Sequence, residues 1–217
     1  LSNYKGRALG SIGDLAAFSF HETKNIISGE GGALLVNNPE LVQRAEVIRE
    51  KGTDRSRFIR NEVDQYTWQD YGSSFLPGEL IAAYLMAQFE EADNITQKRS
   101  ESWQYYHQLL QLLESKKVIR RPIVPDTCQH NGHLYYVLLS HEIDRKILID
   151  EFKHNGILSI FHYVPLHSSP AGKKYGRVHG SLKVTNRQHK RLIRLPLWFG
   201  ITRESQDLVV SIFDSFL

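Results

Sequence analysis

The stretch Ser19-Phe20-His21-Glu22-Thr23-Lys24-Asn25, followed at once by Ser28-Gly29-Glu30-Gly31-Gly32 and the apolar run Ala33-Leu34-Leu35-Val36, decides how this chain is read. Residues 16–20 and 33–36 are short, β-favouring apolar runs separated by turn-forming glycines, so they predict two neighbouring strands. Lys24 then sits on a connection between two rigid elements, with the Ser19 hydroxyl at the same end. A lone loop lysine is ordinarily a solvated charge. Here Phe18 and Phe20 are expected to desolvate the amine and leave more of it neutral and nucleophilic.

A hydroxyl with a lysine five residues on, between two apolar runs, suits pyridoxal phosphate chemistry. The amine forms a Schiff base with the cofactor aldehyde, and the hydroxyl bonds its phosphate. Gly29, Gly31 and Gly32 allow tight chain reversal or close approach of backbone to a ligand. A Walker-type phosphate loop is excluded, because no Gly-Lys-Ser/Thr ending follows the glycines.

Outward from this centre, Asn38 before Pro39 predicts a helix start, and Leu41, Val42, Ala45 and Ile48 recur at helical spacing until Gly52 closes the segment. Residues 53–72 lack periodicity and read as a long loop. From Pro77, Leu80, Ala83, Tyr84, Ala87 and Phe89 resume helical spacing, running on to Leu113 as one long helix or two joined by a bend. The proline-broken, basic stretch Lys116-Lys117 to Pro125 then suggests a domain crossing, giving units 1–115 and 116–217. In the second, 133–139 reads as a strand, 143–154 as an amphipathic helix ending at Gly156, 157–161 as a strand, and a last helix follows Thr202.

The composition, 217 residues with 41% hydrophobic content, is that of a chain able to bury a core. A net charge of +3 is too near balance to announce nucleic acid as the main partner. No apolar run approaches a membrane span, and the single cysteine, Cys128, fits a reducing, cytoplasmic setting. Cys128, His130 and His133 carry zinc-ligand types, but a second pair at suitable spacing is missing, so no metal is expected. The first residues carry neither a signal nor a transit pattern, and a missing N-terminal portion is the simplest account of the start at Leu1.

From Gly13-Asp14 through the lysine loop to Ala33, the chain closely resembles the DegT/StrS sugar nucleotide aminotransferases, which are fold-type I pyridoxal phosphate enzymes. The resemblance continues through Ile48-Arg49-Glu50-Lys51-Gly52-Thr53, Tyr66-Thr67-Trp68, Gly72-Ser73-Ser74, Phe161-His162-Tyr163-Val164-Pro165-Leu166-His167 and Arg194-Leu195-Pro196-Leu197. It implies an α/β fold: the end of a large cofactor-binding domain followed by a small C-terminal α/β domain. It also implies that Lys24 carries the cofactor, that Ser19 holds its phosphate, and that Ser74, where many relatives have asparagine, reaches a phosphate across a homodimer interface. The implied reaction is amino transfer, with glutamate as donor, to a dTDP-4-keto-6-deoxyhexose for lipopolysaccharide or common-antigen sugars. Relatives pair the pyridine nitrogen with an aspartate that would precede Leu1, so this chain alone is expected to be inactive. Sugar dehydratases of the family tend to replace the lysine with histidine, whereas Lys24 is kept. A noncatalytic dimerising or ligand-binding domain of the same fold is the reading from a different class.

His162, Tyr163 and His167 follow a predicted strand end beside Pro165, and the resemblance puts this turn near the substrate. Tyr66 and Trp68 offer stacking surfaces for a base or sugar, or for a dimer interface. Residues 173–194 hold Lys173, Lys174, Arg177, Lys183, Arg187, Lys190, Arg191 and Arg194 without one carboxylate: a solvated surface, or a field that draws in a nucleotide diphosphate.

Overall fold

The computed structural model describes residues 1–216. In chain order the elements are β1 (Asn3–Tyr4), β2 (Arg7–Ala8), β3 (Leu15–Ser19), β4 (Gly32–Val36), α1 (Val42–Arg49), α2 (Arg55–Ile59), α3 (Glu79–Glu90), α4 (Ala92–Leu109) and α5 (Gln111–Ser115). They continue with β5 (Ile119–Arg120), β6 (Cys128–Gln129), β7 (Tyr135–Leu139), α6 (Arg145–His154), β8 (Ile160–Phe161), α7 (Pro170–Tyr175), α8 (Lys183–Arg191), β9 (Leu192–Leu195) and α9 (Arg203–Phe216). Two compact units result, one of Leu1–Ile95 with Asp126–His130, the other of Thr96–Pro125 with Asn131–Leu217. The division falls inside α4, whereas the composition changes near 115.

In the first unit, β3 and β4 pair antiparallel from Leu15 opposite Val36 to Ser19 opposite Gly32. A side chain at Gly32 would lie 2.6 Å from the Phe18 carbonyl oxygen, so only glycine fits beside that strand end. The Asn38 side chain accepts from the Glu40 N–H at 3.0 Å, and Pro39 opens a short 3-10 turn that runs into α1. That helix leaves through Lys51 (φ 60°) and Gly52 (φ 74°).

Residues 53–72 are more ordered than the long loop expected from sequence. They form α2, and the buried Asp54 carboxylate pins the remainder by accepting from Thr67 N–H at 2.6 Å and Gln69 Nε2 at 3.1 Å. Of the two readings of the stretch from Pro77 to Leu113, the structure has the broken one: α3 and α4 meet at Glu91, and the short α5 follows Leu110. A small core of Phe20, Ile26, Ala92 and Ile95 forms, with the Phe20 and Phe89 rings edge to face at 5.5 Å. Leu85 of α3 packs against that core partly buried, but no residue of α3 is fully buried: Leu80 is 88% exposed, and Tyr84 and Met86 are also exposed.

The second unit holds an antiparallel sheet in the order β5-β7-β9-β8. Tyr135, Val137 and Leu139 of β7, Leu148 and Phe152 of α6, Ile193 of β9 and Phe213 of α9 are fully buried. Each large apolar side chain so removed from water contributes about 1.5–3 kcal/mol. Asp144 caps α6 by accepting from Lys146 N–H at 2.8 Å, and Gly156 (φ 73°) follows its end. Thr202 Oγ1 accepts from the Ser205 N–H at 3.2 Å and caps α9. The strand expected over 157–161 is only its last two residues, Ile160–Phe161, and β9 and the two helices of the basic stretch were not visible as periodic apolar patterns. Buried Arg99 fastens three backbone carbonyls, donating to Gly132 at 3.2 Å, His133 at 2.6 Å and Leu197 at 3.3 Å. Burial holds its guanidinium below the usual arginine range.

Candidate active site

The Lys24 connection is a closed loop. Phe20 N–H donates to the Gly31 carbonyl and Glu22 N–H to the Gly29 carbonyl, both at 2.9 Å, while Ser28 N–H donates to the Phe20 carbonyl at 2.7 Å. Inside, Lys24 N–H donates to the His21 carbonyl at 2.9 Å, forming a turn that leaves the lysine side chain exposed. His21 Nδ1 accepts from the Thr23 N–H at 3.2 Å, so Nε2 carries the proton in the neutral ring and faces Glu30 at 3.6 Å. Gly29 and Gly31 have φ of 81° and 138°, conformations that side chains resist.

The aromatic shielding of Lys24 expected from sequence does not form within the described residues. Phe20 turns into the small core against Phe89, and Phe18 lies over Gly10, where an added Cβ would meet its ring at 2.8 Å. Lys24 is exposed instead. Ser19, the last residue of β3, is also exposed, and its Oγ accepts a long 3.4 Å bond from the His21 N–H.

Ser74 lies on a strap over the end of α1. Ser73 N–H donates to Ile48 and Phe75 N–H to Arg49, both at 3.0 Å, and Ser74 bridges Glu50. Its side chain is exposed. Trp68 bridges Thr53 and donates from Nε1 to the Asp70 carbonyl at 2.8 Å, with its ring 76% exposed. Tyr66 is half exposed beside the Phe58 ring at 5.7 Å. These residues belong to the first unit, together with Ser19 and Lys24.

His162, Tyr163 and His167 belong to the second unit. The His162 and Tyr163 rings lie 5.3 Å apart just after β8. Burial, then the Arg194 guanidinium, pushes His162 below its ordinary pKa. Arg194 sits in β9 opposite Tyr136 and Ile160, and its buried Nε has no hydrogen-bond partner among the described residues. The sequence groups Arg194 with the basic cluster; in the structure it lies in β9 between the buried Ile193 and Leu195, apart from the cations of α8. His167 Nε2 donates to Asn186 Oδ1 at 2.8 Å. Among the described residues no group of three His, Cys, Asp or Glu side chains could hold a metal ion. No helix there is long and apolar enough to cross a membrane.

The class that the fold defines is a mixed α/β chain that presents an exposed lysine on a glycine-closed loop at a strand end. The chain belongs to the DegT/DnrJ/EryC1/StrS aminotransferase family, whose model matches residues 1–214. It is 28% identical over 220 residues to GDP-perosamine synthase of Caulobacter vibrioides, covering 100% of this chain and 56% of that protein. It is 29% identical over 175 residues to the UDP-4-amino-4,6-dideoxy-N-acetyl-beta-L-altrosamine transaminase of Campylobacter jejuni, covering 80% and 44%. The solved structure of Helicobacter pylori PseC, an aminotransferase involved in pseudoaminic acid biosynthesis, superposes with a TM-score of 0.84 at 23% identity, over 99% of this chain and 56% of that one. The chain thus spans about half the length of the curated relatives it matches.

Proposed function

We infer that the complete protein is a pyridoxal phosphate-dependent transaminase of nucleotide sugars. The observation that carries this is the exposed Lys24 amine, presented on a loop that backbone hydrogen bonds and two left-handed glycines hold closed, in a chain of an aminotransferase family. The residues present fit the cofactor. Lys24 offers a primary amine, and Ser19 an exposed hydroxyl whose described bond is long and weak, leaving it able to donate to a phosphate. Ser74, also an exposed hydroxyl, is the candidate phosphate contact from a second subunit.

When bound, the cofactor supplies the electron sink for cleavage at the donor's Cα–H bond. Lys24 would hold the cofactor first; its amine, once displaced by the amino donor, would take the proton from the donor's Cα and deliver it to the cofactor's C4′ carbon. Tyr66, Trp68, His162, Tyr163 and His167 are the candidate sugar nucleotide contacts. Beyond burial, the Arg194 guanidinium pushes the His162 pKa down and adds positive charge near that residue.

The finer reading is a cytoplasmic homodimer moving the amino group of glutamate to the 4-keto carbon of a dTDP-linked 6-deoxyhexose, the reaction of a dTDP-4-amino-4,6-dideoxygalactose transaminase. Its product would serve lipopolysaccharide or common-antigen sugars. The apolar α3, of which no residue is fully buried, supports a further contact surface of the kind an obligate assembly covers. Turnover is expected of the full-length protein, since this chain spans about half the length of its relatives. The test is amino transfer from glutamate to a dTDP-4-keto sugar by the full-length protein. Turnover that disappears in Lys24→Ala supports the reading; turnover that survives the substitution, or binding of sugar nucleotide without turnover, overturns it.

A further inference from the structure

Helix α8 carries charge of one sign only. It contains no carboxylate, and none interrupts residues 173–194. Lys183, Asn186, Arg187 and Lys190 recur at helical spacing and share one face, and like charges so spaced repel. Lys183 stands in the first turn, at the positive end of the helix, where no side chain caps the backbone. At the other end, the His189 and Leu192 carbonyls accept from yet another cation, Arg145. Among the described residues no ion pair reaches His141, Lys183, Arg187, Lys190 or Arg191. The basic last turn and Arg145 suit a helix C-terminus, so the departures that call for a counter-charge are the basic first turn and the missing carboxylates.

The same side chains line a shallow cavity, open to solvent, of about 420 Å³: His141, Lys183, Asn186, Arg187, Lys190 and Arg191. Part of its wall is fixed. Arg191 Nε donates to the Leu139 carbonyl at 2.5 Å and its Nη1 to Gln188 Oε1 at 3.3 Å. Asn186 Oδ1 accepts from His167, which leaves the Asn186 amide N–H groups as donors. Burial, then repulsion from Arg187 and Arg120, holds the Arg191 guanidinium below its usual range, as expected of a cation with nothing to balance it.

We propose that this cavity binds a small free inorganic polyphosphate anion of the pyrophosphate class. A single carboxylate would neutralise one of the four permanent cations that line it. Several phosphate oxygens match guanidinium forks and ammonium donors together, and the volume lies within the range of about 300–1,000 Å³ of small-ligand sites. The proposal makes no use of Lys24.

The test is calorimetric titration of pyrophosphate into the full-length protein at low ionic strength. One site is expected, weakened about tenfold or more in Lys183→Gln/Arg187→Gln/Lys190→Gln, given the strength of charge-assisted bonds. Lys173→Gln/Lys174→Gln, outside the cavity, should bind as the parent does, and so should Lys24→Ala, which separates this site from a cofactor phosphate site. Should the triple variant fold poorly, Arg187→Gln alone is expected to lose part of the affinity. The proposal is overturned if pyrophosphate does not bind, if the cavity variants bind as tightly as the parent, or if the Lys173/Lys174 variant loses as much. Sedimentation with anionic phospholipid vesicles or retention by duplex DNA, without pyrophosphate binding, overturns it as well.

Discussion

The Ser28 hydroxyl, itself buried, donates to the Glu30 carbonyl at 2.7 Å and braces the glycine turn that follows Lys24 in the chain. Removing it in Ser28→Ala leaves that carbonyl without its described partner, at a cost of about 1 kcal/mol. Gly31→Ala should cost more, about 1–3 kcal/mol, because its φ of 138° disfavours a side chain and the new Cβ would lie 2.9 Å from Ser28 Oγ. Urea denaturation of both variants checks the order; equal midpoints for Gly31→Ala and the parent would show that the turn is not constrained as described.

At Gly52 the constraint is steric. A Cβ there would stand 1.8 Å from the Asp70 carbonyl oxygen, and the Gln69 and Asp70 N–H groups donate to the Gly52 carbonyl at 2.7 and 3.1 Å. Gly52→Ala must therefore push the 67–72 segment off α1. A loss of about 3 kcal/mol or more is expected, together with faster proteolysis within 53–72. Unchanged protease resistance of that segment would contradict the contact.

Arg99 offers a third test, since Arg99→Met keeps the length and apolar stem but strips the donors from three backbone carbonyls. A loss of about 2–4 kcal/mol is expected. Arg99→Lys should recover only part of it, because an ammonium cannot reproduce the planar fork. Full recovery with lysine would mean that charge, and not geometry, holds the three segments.

Sequence pattern alone carried the β3–β4 pair, the Lys24 loop, α1 and α6, because in each the apolar period agrees with a turn or cap signal such as Gly32, Asn38 or Gly156. Arg99 was not legible: in a charged helix an inward arginine has the same letter as a solvated one, and its targets lie at 132, 133 and 197. Asp54 escaped for a similar reason, since its role depends on residues 67 and 69 folding back. Helix α8 has too little apolar content to announce itself. The desolvation expected of Phe20 failed because an aromatic beside a lysine in sequence is free to point into a core, as it does against Phe89.

Acidification should weaken the fold through three histidines. His130 is pushed down by burial, His162 by burial and Arg194, and His189 by burial and the cations Arg145 and Lys190. A histidine whose folded pKa lies below its unfolded value binds fewer protons when folded. Its contribution is therefore complete above the unfolded value of 6.5 and is lost as pH falls toward the folded one. Tm should decline between about pH 7 and 5, and His130→Gln/His162→Gln should decline less steeply. An identical slope in parent and variant would remove these residues from the account.

The central claim is that one side chain, Lys24, carries the cofactor. Incubation of the full-length protein with pyridoxal phosphate, reduction with borohydride and peptide mapping tests it most directly. The account predicts a single reduced adduct on the peptide containing Lys24. Adducts spread over Lys5, Lys51 and other surface lysines, with Lys24 unmodified, would contradict it.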